Sequence, residues 1–87
     1  MEMQKQIIVQ SEPDGVTVTC HQDVKDELIS AATSFCAENF VTILTSKKAP
    51  CFSSFLFQPV GNEKVEEIER RFREFVATSL GGWTIRD

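Results

Sequence analysis

Three cysteines, one histidine and two groups of carboxylates are the side chains of this chain that could do chemistry. Cys20 and His21 are neighbours and Asp23 follows, so a thiol stands beside a base and an acid in the sequence. Adjacent side chains on a strand point to opposite faces, which keeps this thiol away from this imidazole. A cysteine nucleophile also needs an oxyanion site, and nothing in the sequence marks one. The pattern favours a surface histidine at a strand end, and we predict no catalytic residue.

The remaining reactive groups have simpler explanations than chemistry. Cys51 lies near Lys47 and Lys48, whose charge would lower a thiol pKa if the side chains met. The cysteines are odd in number, widely spaced and without a Cys-x-x-Cys pair, which argues against a disulfide framework and a zinc site. The acidic groups at 23–27 and 63–67 fall at predicted helix starts, where the helix dipole attracts negative charge. We therefore expect no metal, no cofactor and no enzymatic activity.

The segment 47–57, KKAPCFSSFLF, is the most suggestive stretch for binding. On an alternating strand Phe55 and Phe57 share one face, while Phe52 and Leu56 share the other. One set should enter the core, and the other should face outward unless something covers it. The predicted interaction surface comprises Phe55, Phe57, Lys47, Lys48 and Trp83, the last because tryptophan is enriched at interface hot spots.

Aromatic residues and lysines on one strand also loosely resemble the base-stacking face of RNA-recognition motifs. That family's signature has a glycine between its basic and aromatic residues, where this chain has Ala49, Pro50 and Cys51. The predicted partner strand, VTVTC at 16–20, offers no aromatic, and the chain contains no tyrosine. A net charge of −4 also differs from the basic character of general nucleic-acid binders. Single-stranded nucleic-acid binding is therefore the alternative function.

The composition indicates one soluble domain spanning residues 1–87. Hydrophobic content of 41% and charged content of 25% are typical of a globular chain and unlike a disordered one. No apolar run approaches the roughly 18 residues that a membrane span needs. The first residues, MEMQKQ, lack the apolar core of a signal peptide. We expect a cytoplasmic protein with no membrane partner.

Hydrophobic periodicity predicts two helices and four or five strands. The clearest element is a helix at 62–80, with one apolar stripe, an N-cap at Asn62 and a stop at Gly81. A second helix is predicted to begin at an Asp23 N-cap and run to about Glu38. Strands are predicted at 5–10 and 16–20, joined as a hairpin, and at 40–45, 51–57 and 83–86.

This order predicts an α+β fold, a two-layer sandwich of an antiparallel sheet with both helices on one face. From Val16 onward it reads as β-α-β-β-α-β, a ferredoxin-like arrangement with an extra N-terminal strand. If the segment 83–86 does not pair, the alternative is an open β-β-α-β-β-α sandwich.

The leading functional hypothesis is a small non-catalytic module that acts in regulation or by binding protein. Its partner would be another protein or a second copy, giving a homodimer through the exposed sheet face. A regulatory domain that holds a small ligand between two copies is a third hypothesis.

Overall fold

The computed structural model describes residues 5–86, and for residues 46–49 it describes the backbone alone. Five strands and two helices follow one another in this range, and a 3-10 turn, Gln22–Val24, precedes the first helix. The elements are β1 (Gln6–Glu12), β2 (Gly15–His21), α1 (Lys25–Asn39), β3 (Val41–Ala49), β4 (Phe52–Pro59), α2 (Val65–Ser79) and β5 (Thr84–Arg86).

The strands form one sheet in the order β3-β4-β2-β1-β5. β1 and β2 make the predicted antiparallel hairpin. β2 pairs antiparallel with β4, which places Val16 opposite Phe57 at the centre of the sheet. β4 pairs antiparallel with β3, whose register shifts between Thr45 and Lys47. An extra residue at such a shift bends a strand, and bulges of this kind are common at sheet edges.

The N-terminal hairpin changes the predicted sheet in two ways. A ferredoxin-like sheet pairs its last strand directly with its first, whereas here β1 lies between β2 and β5. β5 runs parallel to β1, with Ile7 opposite Ile85, so the sheet is mixed and the prediction of a wholly antiparallel sheet is wrong. The reason is local, because a short turn folds β1 onto the edge of β2 at small entropic cost. Since β5 does pair, the open alternative without it is also wrong.

Both helices begin later than the sequence predicts. The N-cap of α2 is Lys64, which makes no side-chain cap hydrogen bond, so Asn62 lies outside the helix. The chain enters α1 through the 3-10 turn, where the His21 side chain accepts the Asp23 N–H, so Asp23 is not the N-cap of α1. The end of α1 is a left-handed cap, in which Phe40 has φ of 56°. α2 is thus shorter than its apolar pattern suggests, whereas α1 keeps the predicted length with both ends shifted toward the C-terminus.

The core lies between the two helices and one face of the sheet. The Phe72 ring of α2 meets Phe57 of β4 edge-on at 5.1 Å and Phe35 of α1 at 5.3 Å between ring centroids. Ile68 and Val76 extend the same buried stripe, which confirms the predicted apolar face of this helix. The architecture is therefore a two-layer α+β sandwich, as predicted. Within residues 5–86, neither helix is long and apolar enough to cross a membrane.

Candidate functional site

The face of the sheet that points away from both helices is the candidate site, and we call it the open face. No described element packs on it. Its side chains alternate along each strand with those of the core, as the two-residue period of a strand requires. The open face consists of Gln6, Ile8, Gln10, Glu12, Thr17, Thr19, His21, Thr42, Leu44, Phe52, Ser54, Leu56, Gln58, Thr84 and Arg86.

Large apolar side chains are exposed on the open face. Ile8, Leu44 and Phe52 expose 38%, 43% and 49% of their surface, respectively. Leu56 is half-buried and lies directly opposite Leu44 across the β3–β4 ladder. Thr17, Thr19 and Ser54 lie between these apolar positions, so the face alternates apolar and polar side chains. Exposed large apolar side chains on one face of a small protein make that face the candidate interaction surface.

Charge is scarce on the open face. Among the residues whose side chains are described, Arg86 lies beside Ile8, and the carboxylates of Glu12 and Asp14 lie at the hairpin turn, where they line a groove with Gln10 and Thr17. The central polar contact pairs the Thr19 and Ser54 hydroxyls, whose oxygens lie 2.8 Å apart. These hydroxyls satisfy each other, which makes this part of the face inexpensive to remove from water.

The charged side chains gather instead on the outer surface of α2. The Arg71 guanidinium donates to Glu67 at 3.2 Å and to Glu63 and Asn39 at 3.3 Å, linking the two helices. Arg70 also donates to Glu67, and this hydrogen bond lowers the pKa of the Glu67 carboxyl and raises the pKa of Arg70. Glu67 with Arg71 and Glu69 with Arg73 form ion pairs across one helical turn. The described ion pairs of α2 therefore lie on the side of the molecule away from the open face.

An aromatic pair stands at one end of the open face. The His21 and Phe52 rings meet edge-to-face with centroids 5.8 Å apart, because their residues are directly opposed across β2 and β4. The His21 Nδ1 accepts the Asp23 N–H at 3.1 Å, and the Asp23 carboxylate lies 3.6 Å from the same nitrogen. In the neutral imidazole this leaves the proton on Nε2. His21 is therefore a structural cap with a second nitrogen available as a donor.

Two of the predicted surface residues are in the core. Phe55 is 7% exposed and Phe57 is 0% exposed, so their assignment to an interaction surface is wrong for the folded chain. The register of β2 against β4 decides this, because Phe55 lies opposite Val18 and Phe57 opposite Val16 on the face that meets the helices. The outward aromatic of this strand is Phe52, the member of the other set.

The other three predicted surface residues have different positions. Trp83 is half-buried against the edge of the core, with the Lys5 ammonium 6.0 Å from the centroid of its ring. The side chains of Lys47 and Lys48 lie outside the described residues. Their backbone belongs to the edge strand β3, with Lys47 opposite Ser54 and Lys48 opposite Ser53.

The cysteines and carboxylates do not assemble a reactive centre within residues 5–86. Burial raises the pKa of the Cys20 and Cys36 thiols from 9.0 to about 11, which makes thiolates rare at neutral pH. Cys20 points into the core and His21 to the open face, as the strand alternation predicted. Cys51 is exposed in the turn before β4. No group of three or more possible metal ligands occurs among the described side chains.

One sequence signal could have identified Phe52 and Leu56 as the outward-facing residues of β4. The alternation in β2 is unambiguous, with valines and Cys20 on one side and Thr17, Thr19 and His21 on the other. In contrast, β4 has apolar residues on both sides, so its orientation depends on its partner strand. An antiparallel pairing of β2 with β4 in this register places Phe52 and Leu56 on the open face.

Comparisons with protein-family models, curated proteins and solved structures found no match, so the open face is the basis for a functional proposal.

Proposed function

We propose that this chain is a small, non-catalytic protein-interaction module that pairs with a second copy of itself through the open face. The supporting observation is the exposure of Ile8, Leu44 and Phe52 on one side of a single sheet. Burying such side chains stabilises an interface by roughly 25 cal/mol for each Å² of apolar surface removed from water. The regulatory role anticipated from the sequence would act through this pairing.

A second copy suits this surface because few of its side chains are charged. The chain has a net charge of −4, so two copies repel each other at long range. The glutamate–arginine pairs of α2 lie on the far side, and among the described side chains the open face has Arg86 beside Ile8 and Glu12 with Asp14 at the hairpin turn. Pairing through the open face therefore leaves the charged surface of α2 in solvent.

The area of the open face is also sufficient for a specific dimer. β1 and β2 have seven residues each, β3 has nine, β4 has eight and β5 has three. At about 3.3 Å per residue and about 4.8 Å between strands, they give a face of roughly 540 Å². Two copies would then bury on the order of 1,100 Å², just above the area expected of a biological interface. Two sheets that pack face to face lie about 10 Å apart, a gap that side chains such as Phe52 and Leu44 fill.

The proposal extends to the fold and to the compartment. The segment from β2 to α2 keeps the strand order of a ferredoxin-like unit, with β4 between β2 and β3, and β1 is an insertion at its edge. A cytoplasmic location is supported by the free thiols of Cys20, Cys36 and Cys51, since thiols persist in reducing compartments.

The test is the oligomeric state of a variant with a charged open face. In sedimentation velocity, we expect the wild-type chain to form dimers and Leu44→Glu/Leu56→Glu to be a monomer with an unchanged circular dichroism spectrum. Ala37→Glu/Ala77→Glu, which places the same two charges on exposed positions of α1 and α2, is the matched control and should remain dimeric. A wild-type monomer at about 1 mM, or a dimer that survives the double substitution, would contradict the proposal.

The same protein preparation can be used to distinguish nucleic-acid binding from self-association. Phe52 is the outward aromatic on which a base could stack, with His21 at its edge. Nucleic-acid binding predicts that a fluorescent single-stranded oligonucleotide binds with strong salt dependence and is lost in Phe52→Ala. That result would assign nucleic-acid binding to the open face. If the oligonucleotide does not bind, protein interaction is the function that is retained.

A further inference from the structure

A groove of about 450 Å³ is set into one corner of the open face. Its lining comprises Gln6, Ile8, Thr19, Cys20, His21, Phe52 and Arg86. This volume lies within the range of about 300–1,000 Å³ that is typical of small-molecule sites. The corner therefore has the dimensions of a ligand site, in addition to being part of a flat interface.

The middle and one end of the groove are apolar. Ile8 lies between the strands that carry Arg86 and Thr19, since it is opposite both residues in the two ladders that flank β1. The exposed Phe52 ring stands at the far end against the edge of His21. A planar or chain-like hydrocarbon laid across the strands would contact Ile8 first and then the aromatic pair.

The other end of the groove is cationic. Arg86 is the one permanently charged residue in the lining, and a guanidinium binds carboxylate or phosphate oxygens in a two-pronged geometry. Three strand spacings separate β5 from β4, a distance of about 14 Å. The Arg86 side chain spans part of that width. The remaining length fits a ligand whose apolar part is one ring with a short chain.

A hydrogen-bond donor lies beside the apolar end. The Nδ1 of His21 is engaged by the Asp23 N–H, so in the neutral ring Nε2 carries the proton. The Asp23 carboxylate lies against the Nδ1 side of the ring, 3.6 Å from that atom. Oxygen atoms of a ligand are therefore favoured at the Nε2 edge as well as at the guanidinium.

From this arrangement we propose that the groove binds a small amphipathic carboxylic acid, with its carboxylate on Arg86 and its apolar body over Ile8 and Phe52. All of the lining belongs to one copy of the chain, so binding does not require the proposed dimer. A second copy on the open face would cover the groove and enclose the ligand. The proposal thus goes beyond self-association and names the chemistry that would regulate it.

The experiment compares two probes that differ only in charge. Phenylbutyrate and phenylbutanol are titrated into the labelled chain, and the amide signals of β1, β2 and β5 are followed by NMR. We expect the acid to bind about tenfold more tightly than the alcohol, with shifts at Ile8 and Arg86. In Arg86→Gln the acid should lose that advantage while the alcohol is unchanged, and in Phe52→Ala both probes should weaken.

Equal affinities for acid and alcohol, saturable shifts confined to other parts of the chain, or no saturable shift at about 10 mM would each overturn the proposal. Both substituted residues are exposed, so the variants should fold like the wild type. Repeating the titration in Leu44→Glu/Leu56→Glu separates this inference from the proposed dimer. If the ligand proposal is wrong, the acid does not bind more tightly than the alcohol. If only the dimer proposal is wrong, the sedimentation result changes and the preference for the acid remains.

Discussion

The guanidinium of Arg73 on α2 donates from Nη2 to the backbone carbonyl of Val9 on β1 across 3.4 Å. The same side chain is held by Glu69, whose carboxylate lies 2.9 Å from Nη2. β1 pairs with β5 only from Gln6 to Ile8, so this contact falls one residue beyond the last paired position. Glu69 also accepts from the Ser11 hydroxyl further along β1. Side chains of α2 therefore hydrogen-bond to β1 just beyond the point where the pairing of β1 with β5 ends.

Removing this contact should loosen the N-terminal strand. We expect Arg73→Gln to lower the free energy of unfolding by about 1 kcal/mol, the order of a hydrogen bond to a charged group after solvent exposure is discounted. Amide exchange at β1 should accelerate more than exchange at β4. The matched control is Arg70→Gln, because the ion pairs of Arg70 with Glu67 and Glu74 stay within α2 on its exposed surface, and this variant should lose less stability than Arg73→Gln. Equal losses in urea unfolding would show that Arg73 acts only as a surface charge.

Gly15 is required because the start of β2 lies very close to the neighbouring strand β4. A Cβ at this position would lie 2.7 Å from the Phe57 carbonyl oxygen and 2.9 Å from the Leu56 Cδ1. The first of these is backbone and cannot move aside, so Gly15→Ala should destabilise the fold by about 1–3 kcal/mol in urea unfolding. Gly61→Ala is the control, because nothing lies within 4 Å of its added methyl group. If both variants unfold at the same urea concentration, the close approach does not exist in solution.

The phenylalanines of β4 should divide by face. Phe57→Ala empties a fully buried site and should cost about 3–5 kcal/mol, whereas Phe52→Ala should cost less than about 1 kcal/mol. Phe55→Glu would place a charge in the core and unfold the chain, so it cannot serve as a test of association. Thermal unfolding of the three variants measures the order. A Phe52 variant as unstable as the Phe57 variant would contradict the assignment of the faces.

The cysteines predict both a labelling pattern and a pH dependence. Cys51 is exposed and should react with a disulfide reagent at once, while Cys20 and Cys36 should react only when the fold opens. Burial raises the pKa of those two thiols from 9.0 to about 11, so their protonated forms favour the folded state. Their contribution is complete below about pH 9 and is lost as the pH rises through 11.

Urea midpoints at about pH 8 and about pH 10.5 measure this loss. Cys20→Ala/Cys36→Ala should show a smaller fall between the two conditions, whatever its stability at the lower pH. Cys51→Ser should lose the fast labelling phase and keep the full fall. A wild-type midpoint that does not change with pH, or three equally fast thiols in the native chain, would show that Cys20 and Cys36 are open to solvent.

Local patterns were sufficient for the elements of the fold. The apolar stripe of Ile68, Phe72 and Val76 predicted the second helix and its buried face, and alternation in β2 predicted both the strand and its orientation. The helix starts were placed too early, because Asn62 and Asp23 are good caps in isolation but other residues hold those positions. Such errors are expected where tertiary contacts compete with side-chain caps.

By itself, the sequence determined the hairpin, the first helix and the strongly amphipathic second helix, since each depends on a pattern within one segment. The order of these elements then indicated an α+β sandwich. Only the tertiary structure decided which phenylalanines of β4 face outward and which edge β5 joins. Both depend on register between segments distant in the chain, such as Val18 opposite Phe55 and Ile7 opposite Ile85. A strand that is apolar on both sides carries no information about its own orientation, because a partner strand selects the face that is buried. The candidate groove exists for the same reason, since pairing alone brings Arg86, Ile8 and Phe52 to one corner.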